Sequence, residues 1–263
     1  MATRKALAAT AQASISFNAS LRQRSTGALD QERRCAAACA PARTHPLDMP
    51  RFKVCCIASV EEAALAVRHG AAALGLVSTM PSGPGVIDDT RIREIAAWAP
   101  LPVRTFLLTA RTDADAIAQQ VRDLGTNTVQ LVDAVPLSVL RRLRLLLPDL
   151  RLVQVIHVRG AASVQEALAV APLVDELLLD SGNPSLAVKE LGGTGRVHDW
   201  TQSRRIVESA GVPVWLAGGL RPENARAAIE AVGPYGLDVC SGLRLNGMLD
   251  AARLQAFAQA VSR

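Results

Sequence analysis

Aromatic residues are scarce in this chain, with four phenylalanines, three tryptophans and one tyrosine among 263 residues. Any core must therefore be built mainly from aliphatic side chains. Hydrophobic residues make up 49% of the chain and charged residues 20%, which is close to globular averages and argues against extensive disorder. No uncharged apolar run approaches the roughly 18 residues that a membrane-spanning helix needs, so we expect no membrane partner.

Cysteine is also infrequent, and its spacing lacks a metal-binding pattern. The five cysteines are odd in number, include the adjacent pair Cys55 and Cys56, and form no repeated Cys-x-x-Cys or Cys/His motif. These features argue against a disulfide framework and a structural zinc site. We therefore expect no metal and predict reduced thiols, as in the cytoplasm.

The formal net charge of +5 is distributed unevenly along the chain. Residues 1–48 hold seven basic and three acidic residues, whereas residues 49–263 hold 22 and 21. Because the body is nearly neutral, we expect no nucleic-acid partner. The first 29 residues lack acids and are rich in alanine, serine and threonine, which is typical of an organellar transit peptide. Alternatively, translation begins at Met49 and residues 1–48 form a disordered leader.

Short apolar runs alternate with alanine-rich amphipathic segments from residue 52 onwards. The predicted strands are Phe52–Ile57, Ala73–Val77, Val103–Leu108, Thr128–Val132, Leu152–Val158, Glu176–Asp180, Val214–Ala217 and Leu237–Cys240. Helices are predicted near 60–69, 88–98, 113–124, 137–147, 163–171, 200–210, 222–232 and 250–261. Continuously apolar strands are typical of parallel sheets covered on both faces. Eight βα units predict an α/β fold with one (β/α)8 TIM barrel over residues 49–263.

Several residues mark where the predicted helices begin and end. Ser59 and Ser163 each precede a glutamate by three residues, which is capping-box spacing. Glycines follow four of the helical segments, where a positive φ can end a helix. These glycines are Gly70, Gly125, Gly211 and Gly233.

Catalytic groups in such a barrel belong at the carboxyl ends of the strands and in the loops after them. This location selects Cys55 and Cys56 after the first strand and Asp180 after the sixth. It also selects the long connection from 181 to 199, because long loops in compact domains are commonly functional.

Glycines after the last two strands predict an anion site. Gly218, Gly219 and Gly242, with Ser241, let backbone amides approach an anion closely, near the predicted helix start at Pro222. The loops after strands seven and eight often bind phosphate in these barrels. Alternatively, these glycines are present only because the turns are tight.

Five ordered motifs resemble those of the phosphoribosylanthranilate isomerase family. They are Lys53-Val-Cys-Cys-Ile57, Leu178-Leu-Asp180, Gly192-Gly-Thr-Gly195 followed by Asp199-Trp200, Leu216-Ala-Gly-Gly-Leu220 with Pro222-Glu-Asn224, and Asp238-Val-Cys-Ser-Gly242. The resemblance implies a cofactor-independent Amadori rearrangement of a phosphorylated sugar in tryptophan synthesis.

The resemblance also implies roles for individual residues. Cys55 matches the general base and Asp180 the general acid. Gly193, Thr194 and Gly195 join Gly218, Gly219, Ser241 and Gly242 as expected phosphate ligands, and Gln130 is an expected substrate contact. Physically, nearby amide dipoles or Lys53 could lower the thiol pKa from about 8.5, and an apolar setting could keep Asp180 protonated. The alternatives are an inert buried cysteine and a helix-capping aspartate.

The sequence departs from the family pattern around the expected aromatic half of the substrate. The loop Met80-Pro-Ser-Gly-Pro-Gly-Val-Ile87 lacks the family's cation, Cys56 replaces a glycine, and Arg244 replaces an acid. We therefore expect Arg244, or else Arg104, to hold the substrate carboxylate. We also expect Cys56 to face the helices, because adjacent strand residues point to opposite sides.

Two alternative functions stay open at this point. One is an isomerase of a different phosphorylated aminosugar or ketose, and the other is a non-catalytic barrel that binds a phosphometabolite. The sequence does not distinguish a monomer from a homodimer.

Overall fold

The computed structural model describes residues 51–182 and 198–262. The eight strands of these segments close into a parallel barrel in which each strand pairs with the next along the chain and the last pairs with the first. The strands are β1 (Arg51–Val54), β2 (Ala73–Val77), β3 (Arg104–Thr109), β4 (Thr128–Leu131), β5 (Arg151–His157), β6 (Glu176–Asp180), β7 (Val214–Leu216) and β8 (Gly236–Val239). The predicted α/β barrel is confirmed. The predicted leader, residues 1–48, lies outside the described residues.

A helix follows each strand and covers the barrel. The helices are α1 (Val60–Arg68), α2 (Asp89–Trp98), α3 (Ala114–Leu124), α4 (Leu137–Leu146), α5 (Ala162–Val170), α6 (Trp200–Ser209), α7 (Pro222–Val232) and α8 (Ala251–Val261). A short antiparallel hairpin of β9 (Arg244–Leu245) and β10 (Met248–Leu249) precedes α8. No helix among the described residues is long and apolar enough to cross a membrane.

Local signals in the sequence account for most of the helix ends. Ser59 accepts a hydrogen bond from the Glu62 amide and caps α1, as its spacing predicts. Gly125 and Gly233 end α3 and α7 with φ of 67°, the left-handed conformation that glycine adopts without strain. The predicted cap at Ser163 is wrong: Ser163 lies inside the first turn of α5, where its hydroxyl donates to the His157 carbonyl.

The core has two apolar regions separated by the barrel wall. Between strands and helices, the packing is almost entirely aliphatic, as the shortage of aromatics predicts. Inside the barrel, Phe106 and Trp215 make an edge-to-face contact with ring centroids 5.8 Å apart. The Trp215 indole donates to buried Glu176, which also pairs with Arg104. These large groups fill the barrel, so space for a ligand is left nearer its carboxyl-terminal rim.

Candidate active site

A cavity opens at the carboxyl-terminal rim of the barrel. Its walls come from the ends of β2, β3, β4, β6 and β8 and from the residues that follow β1, β2, β4, β7 and β8. Residues lining it include Cys55, Cys56, Met80, Ser82, Gln130, Asp180, Gly218, Gly219, Asp238, Cys240 and Ser241. The structure therefore brings the expected base, the expected acid and three of the expected phosphate-binding residues, Gly218, Gly219 and Ser241, to one cavity.

Cys55 lies directly after β1, where its thiol lines the floor of the cavity. A methyl group on Gly75 of β2 would lie 2.8 Å from the Cys55 sulfur and 3.1 Å from Cε of Lys53. Real side chains do not pack this closely, so the glycine is required where the thiol and the lysine stem converge. The sequence analysis did not identify this contribution of β2.

Lys53 and Asp238 form a buried ion pair beneath the cavity. The Lys53 ammonium donates to Asp238 Oδ2 at 2.7 Å, and both side chains are buried. Burial opposes the charge on Lys53, but the Asp238 carboxylate and the neighbouring cysteines outweigh it and raise the pKa of the lysine. Lys53 therefore stays a cation beside Cys55. The sequence analysis did not predict Asp238 as a site residue. A charged residue within an otherwise apolar strand could have indicated it.

Asp180 ends β6 and is almost fully buried. Removal from water raises the pKa of its carboxyl group, although the Ser181 amide donates to it at 2.7 Å and favours the ionised form. A carboxyl group that retains its proton more strongly than usual can act as a general acid. The pKa of Asp180 is thus shifted in the direction that its expected role requires.

Cys56 faces the cavity, which corrects the expectation that it packs against the helices. Its φ of 62° is left-handed, so the strand ends before this residue and the alternation of side chains no longer applies. The predicted first strand extended to Ile57, but β1 ends at Val54. The sequence offered a signal, because the family pattern has glycine where this chain has Cys56.

The loops after β7 and β8 pack directly on each other. A methyl group on Gly242 would lie 2.0 Å from the Leu220 carbonyl oxygen, so only glycine fits. Gly218 and Gly219 have φ of 86° and 64°. The Asn224 side chain at the start of α7 accepts from the Arg221 amide at 2.9 Å and donates to the Gly219 carbonyl at 3.0 Å.

These loops lie beside the N-terminus of α7. A second, more open cavity at the same rim is lined by Gly219, Ser241 and Gly242 together with the first turn of α7. Helix N-termini and glycine-rich turns are favourable surroundings for phosphate. The other expected phosphate ligands, Gly193, Thr194 and Gly195, lie outside the described residues.

Gln130 extends from β4 into the cavity and is buried. Its Oε1 has no hydrogen-bond partner among the described residues, and neither has Oδ1 of Asp238. Unpaired buried acceptors are costly, so they favour a ligand that donates hydrogen bonds to them.

Arg244 lies beside the cavity but is not among its lining residues. Its guanidinium pairs with both carboxylate oxygens of Glu62 at 2.9 Å and also donates to the carbonyls of Gly247 and Cys56. Because these partners occupy the guanidinium, the geometry favours a structural role over the expected contact with a substrate carboxylate. Arg104, the other expected anchor, pairs with Glu176 from the first residue of β3, at the opposite end of the barrel.

The loop after β2 closes one side of the cavity with Met80, Ser82, Gly83 and Pro84. No lysine or arginine among the described residues lines this cavity. The described residues also contain no cluster of three or more histidine, cysteine or acidic side chains arranged to hold a metal ion. Recognition in the described part of this cavity therefore relies on uncharged donors, carboxyl groups and apolar contacts, whereas Arg221 and Arg253 line the second cavity beside it.

Comparisons of sequence identify a family. The model of the N-(5'phosphoribosyl)anthranilate (PRA) isomerase family matches residues 52–260. The chain is 36% identical over 209 residues to N-(5'-phosphoribosyl)anthranilate isomerase 2 of Methanosarcina mazei, covering 79% of this chain and 92% of the relative. It is 33% identical over 205 residues to the corresponding isomerase of Thermosynechococcus vestitus, covering 78% and 86%.

Comparison of structures agrees. The crystal structure of phosphoribosyl anthranilate isomerase from Thermotoga maritima superposes with a TM-score of 0.70 at 27% identity, covering 81% of this chain and 98% of that one. A phosphoribosyl anthranilate isomerase in complex with reduced 1-(o-carboxyphenylamino)-1-deoxyribulose 5-phosphate gives a TM-score of 0.68 at 25% identity, with the same coverage.

Proposed function

The chain belongs to the N-(5'-phosphoribosyl)anthranilate isomerase family, and from this premise we propose that Cys55 and Asp180 carry out the family's isomerisation as general base and general acid. The function is that of a phosphoribosylanthranilate isomerase in tryptophan biosynthesis, and its substrate is a phosphorylated ribose derivative. The reaction moves two electrons within the substrate, since C1 is reduced while C2 is oxidised. It therefore needs no external oxidant or reductant and no redox cofactor.

The first proposed step is opening of the ribose ring. Asp180 donates its proton to the ring oxygen, the C1–O bond breaks, and the nitrogen lone pair forms the C1=N bond of a Schiff base. Burial raises the pKa of this carboxyl group, which favours the protonated form that the donation needs.

The second proposed step is transfer of the C2 proton. The Cys55 thiolate removes it, the C2 electrons form a C1–C2 double bond, and the C1=N electrons return to the positively charged nitrogen, which keeps its hydrogen and becomes a neutral amine. The resulting enolamine tautomerises to the ketone by protonation at C1 and loss of the C2 hydroxyl proton. The Lys53 side chain lies close to Cys55, since both converge on Gly75.

One observation carries this proposal: the Cys55 thiol and the proton-retaining Asp180 line the same cavity at the rim of the barrel. The phosphate of the substrate is proposed to bind the amides of Gly219, Ser241 and Gly242 at the start of α7. The free acceptors of Gln130 and Asp238 are positioned to receive hydrogen bonds from sugar hydroxyls.

The lack of a lysine or arginine among the described residues that line the cavity favours a second candidate, an isomerase that tolerates a different aglycone. A site without a cation gains little from the anthranilate carboxylate. We propose anthranilate as the natural aglycone because the sequence relatives carry that name. The comparison substrate is the phosphoribosyl derivative of aniline, which lacks only the carboxylate.

Complementation of a tryptophan auxotroph that lacks this isomerase tests the proposed function. The full chain should restore growth without tryptophan, and the purified protein should convert phosphoribosylanthranilate. Failure of both, with good turnover of the aniline derivative, would favour the second candidate. Failure on every phosphorylated aminosugar tried would contradict the enzymatic proposal.

We also propose a cytoplasmic location for this activity.

A further inference from the structure

Two thiols beside the proposed base lie close enough to react with each other. The sulfur atoms of Cys56 and Cys240 are 2.7 Å apart in a thiol–thiol contact. Both residues line the cavity, and Cys240 is partly exposed there. Their strands remain joined up to this point, since the Cys55 amide donates to the Val239 carbonyl at 2.8 Å. The sulfurs therefore meet across neighbouring strand ends held in register.

The backbone at Cys56 adopts an unfavourable conformation that brings its thiol into this contact. Its φ is 62°, in the left-handed region where a Cβ atom crowds the backbone of a non-glycine residue. Its carbonyl accepts from Arg244, and its sulfur lies 3.6 Å from the Pro84 carbonyl. A methyl group on Gly85 would lie 2.4 Å from the Cys56 Cβ, so the loop after β2 leaves space for this side chain. Surrounding contacts thus hold Cys56 in place.

We propose that Cys56 and Cys240 are a modification site, a dithiol that hydrogen peroxide or an organic hydroperoxide converts into a reversible disulfide. Closing the sulfur separation from 2.7 Å to the bond length of about 2.05 Å requires little movement. Disulfides of this kind in a reducing compartment are typically transient.

The reaction proceeds in two balanced steps. The Cys240 thiolate attacks one peroxide oxygen, and a sulfur–oxygen bond forms as the oxygen–oxygen bond breaks. The leaving hydroxide, or the alkoxide of an organic hydroperoxide, takes a proton to become water or an alcohol. Cys56 then attacks the Cys240 sulfur, and the sulfenic hydroxyl leaves with the Cys56 proton as a second water. Two thiols are oxidised and one peroxide is reduced.

The electrostatic surroundings assign these two roles. The contact with Cys56 lowers the pKa of the Cys240 thiol, which burial opposes and the Arg244 cation assists. The pKa of Cys56 is raised by the same contact and by Cys55. Cys240 is therefore the thiol that reacts with peroxide, since the thiolate is the nucleophile. Cys56 is the thiol that resolves the sulfenic acid.

Peptide mapping of the full chain tests the proposal. After peroxide treatment, alkylation of free thiols and trypsin digestion without reductant, peptide 54–68 should be cross-linked to peptide 227–244. Dithiothreitol should separate them. The cross-link should be intramolecular, so its yield should not depend on protein concentration.

Cys55 and Cys56 lie in the same tryptic peptide, so peptide mapping alone does not show which of them is cross-linked to Cys240. Single variants identify the cysteine. Cys55→Ser should retain the cross-link, whereas Cys56→Gly and Cys240→Ser should lose it. Cys56→Gly is expected to fold, since glycine adopts the left-handed backbone at this position without strain. A cross-link that persists in Cys56→Gly and disappears in Cys55→Ser would overturn the assignment. Irreversible oxidation without any cross-link in the wild type would overturn the proposal. The readout is mass rather than turnover, so it is independent of the proposed reaction.

Discussion

Gly242→Ala tests whether the contact between the loops after β7 and β8 positions the substrate. The added methyl group would lie 2.0 Å from the Leu220 carbonyl oxygen and 3.0 Å from Cα of Arg221. An ordinary carbon–oxygen contact is about 3.3 Å, so the loops must separate by roughly 1 Å. Displacements of this size can cost about 100-fold in rate. We expect kcat/KM to fall by about that factor, with a stability loss of about 1–3 kcal/mol from overpacking.

Gly233→Ala is the matched control for this loop variant. Gly233 has φ of 67° at the end of α7, and nothing lies within 4 Å of an added methyl group. The left-handed backbone should cost about 1–2 kcal/mol of stability without moving the site. Urea denaturation, steady-state kinetics and competition by inorganic phosphate compare the two variants. Wild-type kcat/KM and phosphate affinity in a destabilised Gly242→Ala would refute the role assigned to the loops.

Three other substitutions test separate parts of the site. Millimolar phosphate should raise the melting temperature of the wild type, since a hundredfold excess of phosphate over Kd stabilises the fold by about 2.7 kcal/mol. Gly219→Asp should abolish this rise in melting temperature. The same rise in the variant would contradict the phosphate site. Arg244→Ala should lower the free energy of unfolding, measured by urea denaturation, by about 1–3 kcal/mol, because Glu62 loses its arginine partner. KM for phosphoribosylanthranilate should stay unchanged. A large rise in KM would instead support the expected contact between Arg244 and the substrate carboxylate. Asp180→Asn should lower kcat by about 10²–10⁴ without reducing stability at neutral pH. Because the pKa of Asp180 is raised in the folded state, wild-type stability falls as pH rises from 3.8 to that folded pKa. Asparagine does not titrate, so this fall should be absent when the free energy of unfolding of Asp180→Asn is measured against pH. The same pH profile in both proteins would contradict the raised pKa.

Features that depend on local periodicity and chain order could be predicted from the sequence. β2 and β6 have the predicted bounds, and the other strands differ by one to three residues at their ends. The rim location of Cys55 and Asp180 followed from the general position of catalytic groups in such barrels.

The features that the sequence analysis did not anticipate involve contacts between distant parts of the chain or an unusual backbone conformation. Arg244 pairs with Glu62, 182 residues away, and nothing local to either residue signals the pair. The orientation of Cys56 depends on a left-handed φ that the period-two rule for strands does not anticipate. Ser163 matched a capping motif, but α5 begins one residue earlier and its hydroxyl instead donates to the end of β5.

The central claim is that the Cys55 thiolate removes the C2 proton, and Cys55→Ser tests it most directly when binding and turnover are measured separately. The reduced carboxyphenylamino-deoxyribulose phosphate that a solved relative holds is the binding probe. Serine is nearly isosteric but remains protonated, so Kd for this probe should stay near the wild-type value while kcat falls by about 10²–10⁴. Cys56→Gly, the neighbouring control, should retain wild-type turnover. Near wild-type kcat in Cys55→Ser, or an equal loss in Cys56→Gly, would contradict the assignment of Cys55 as the base.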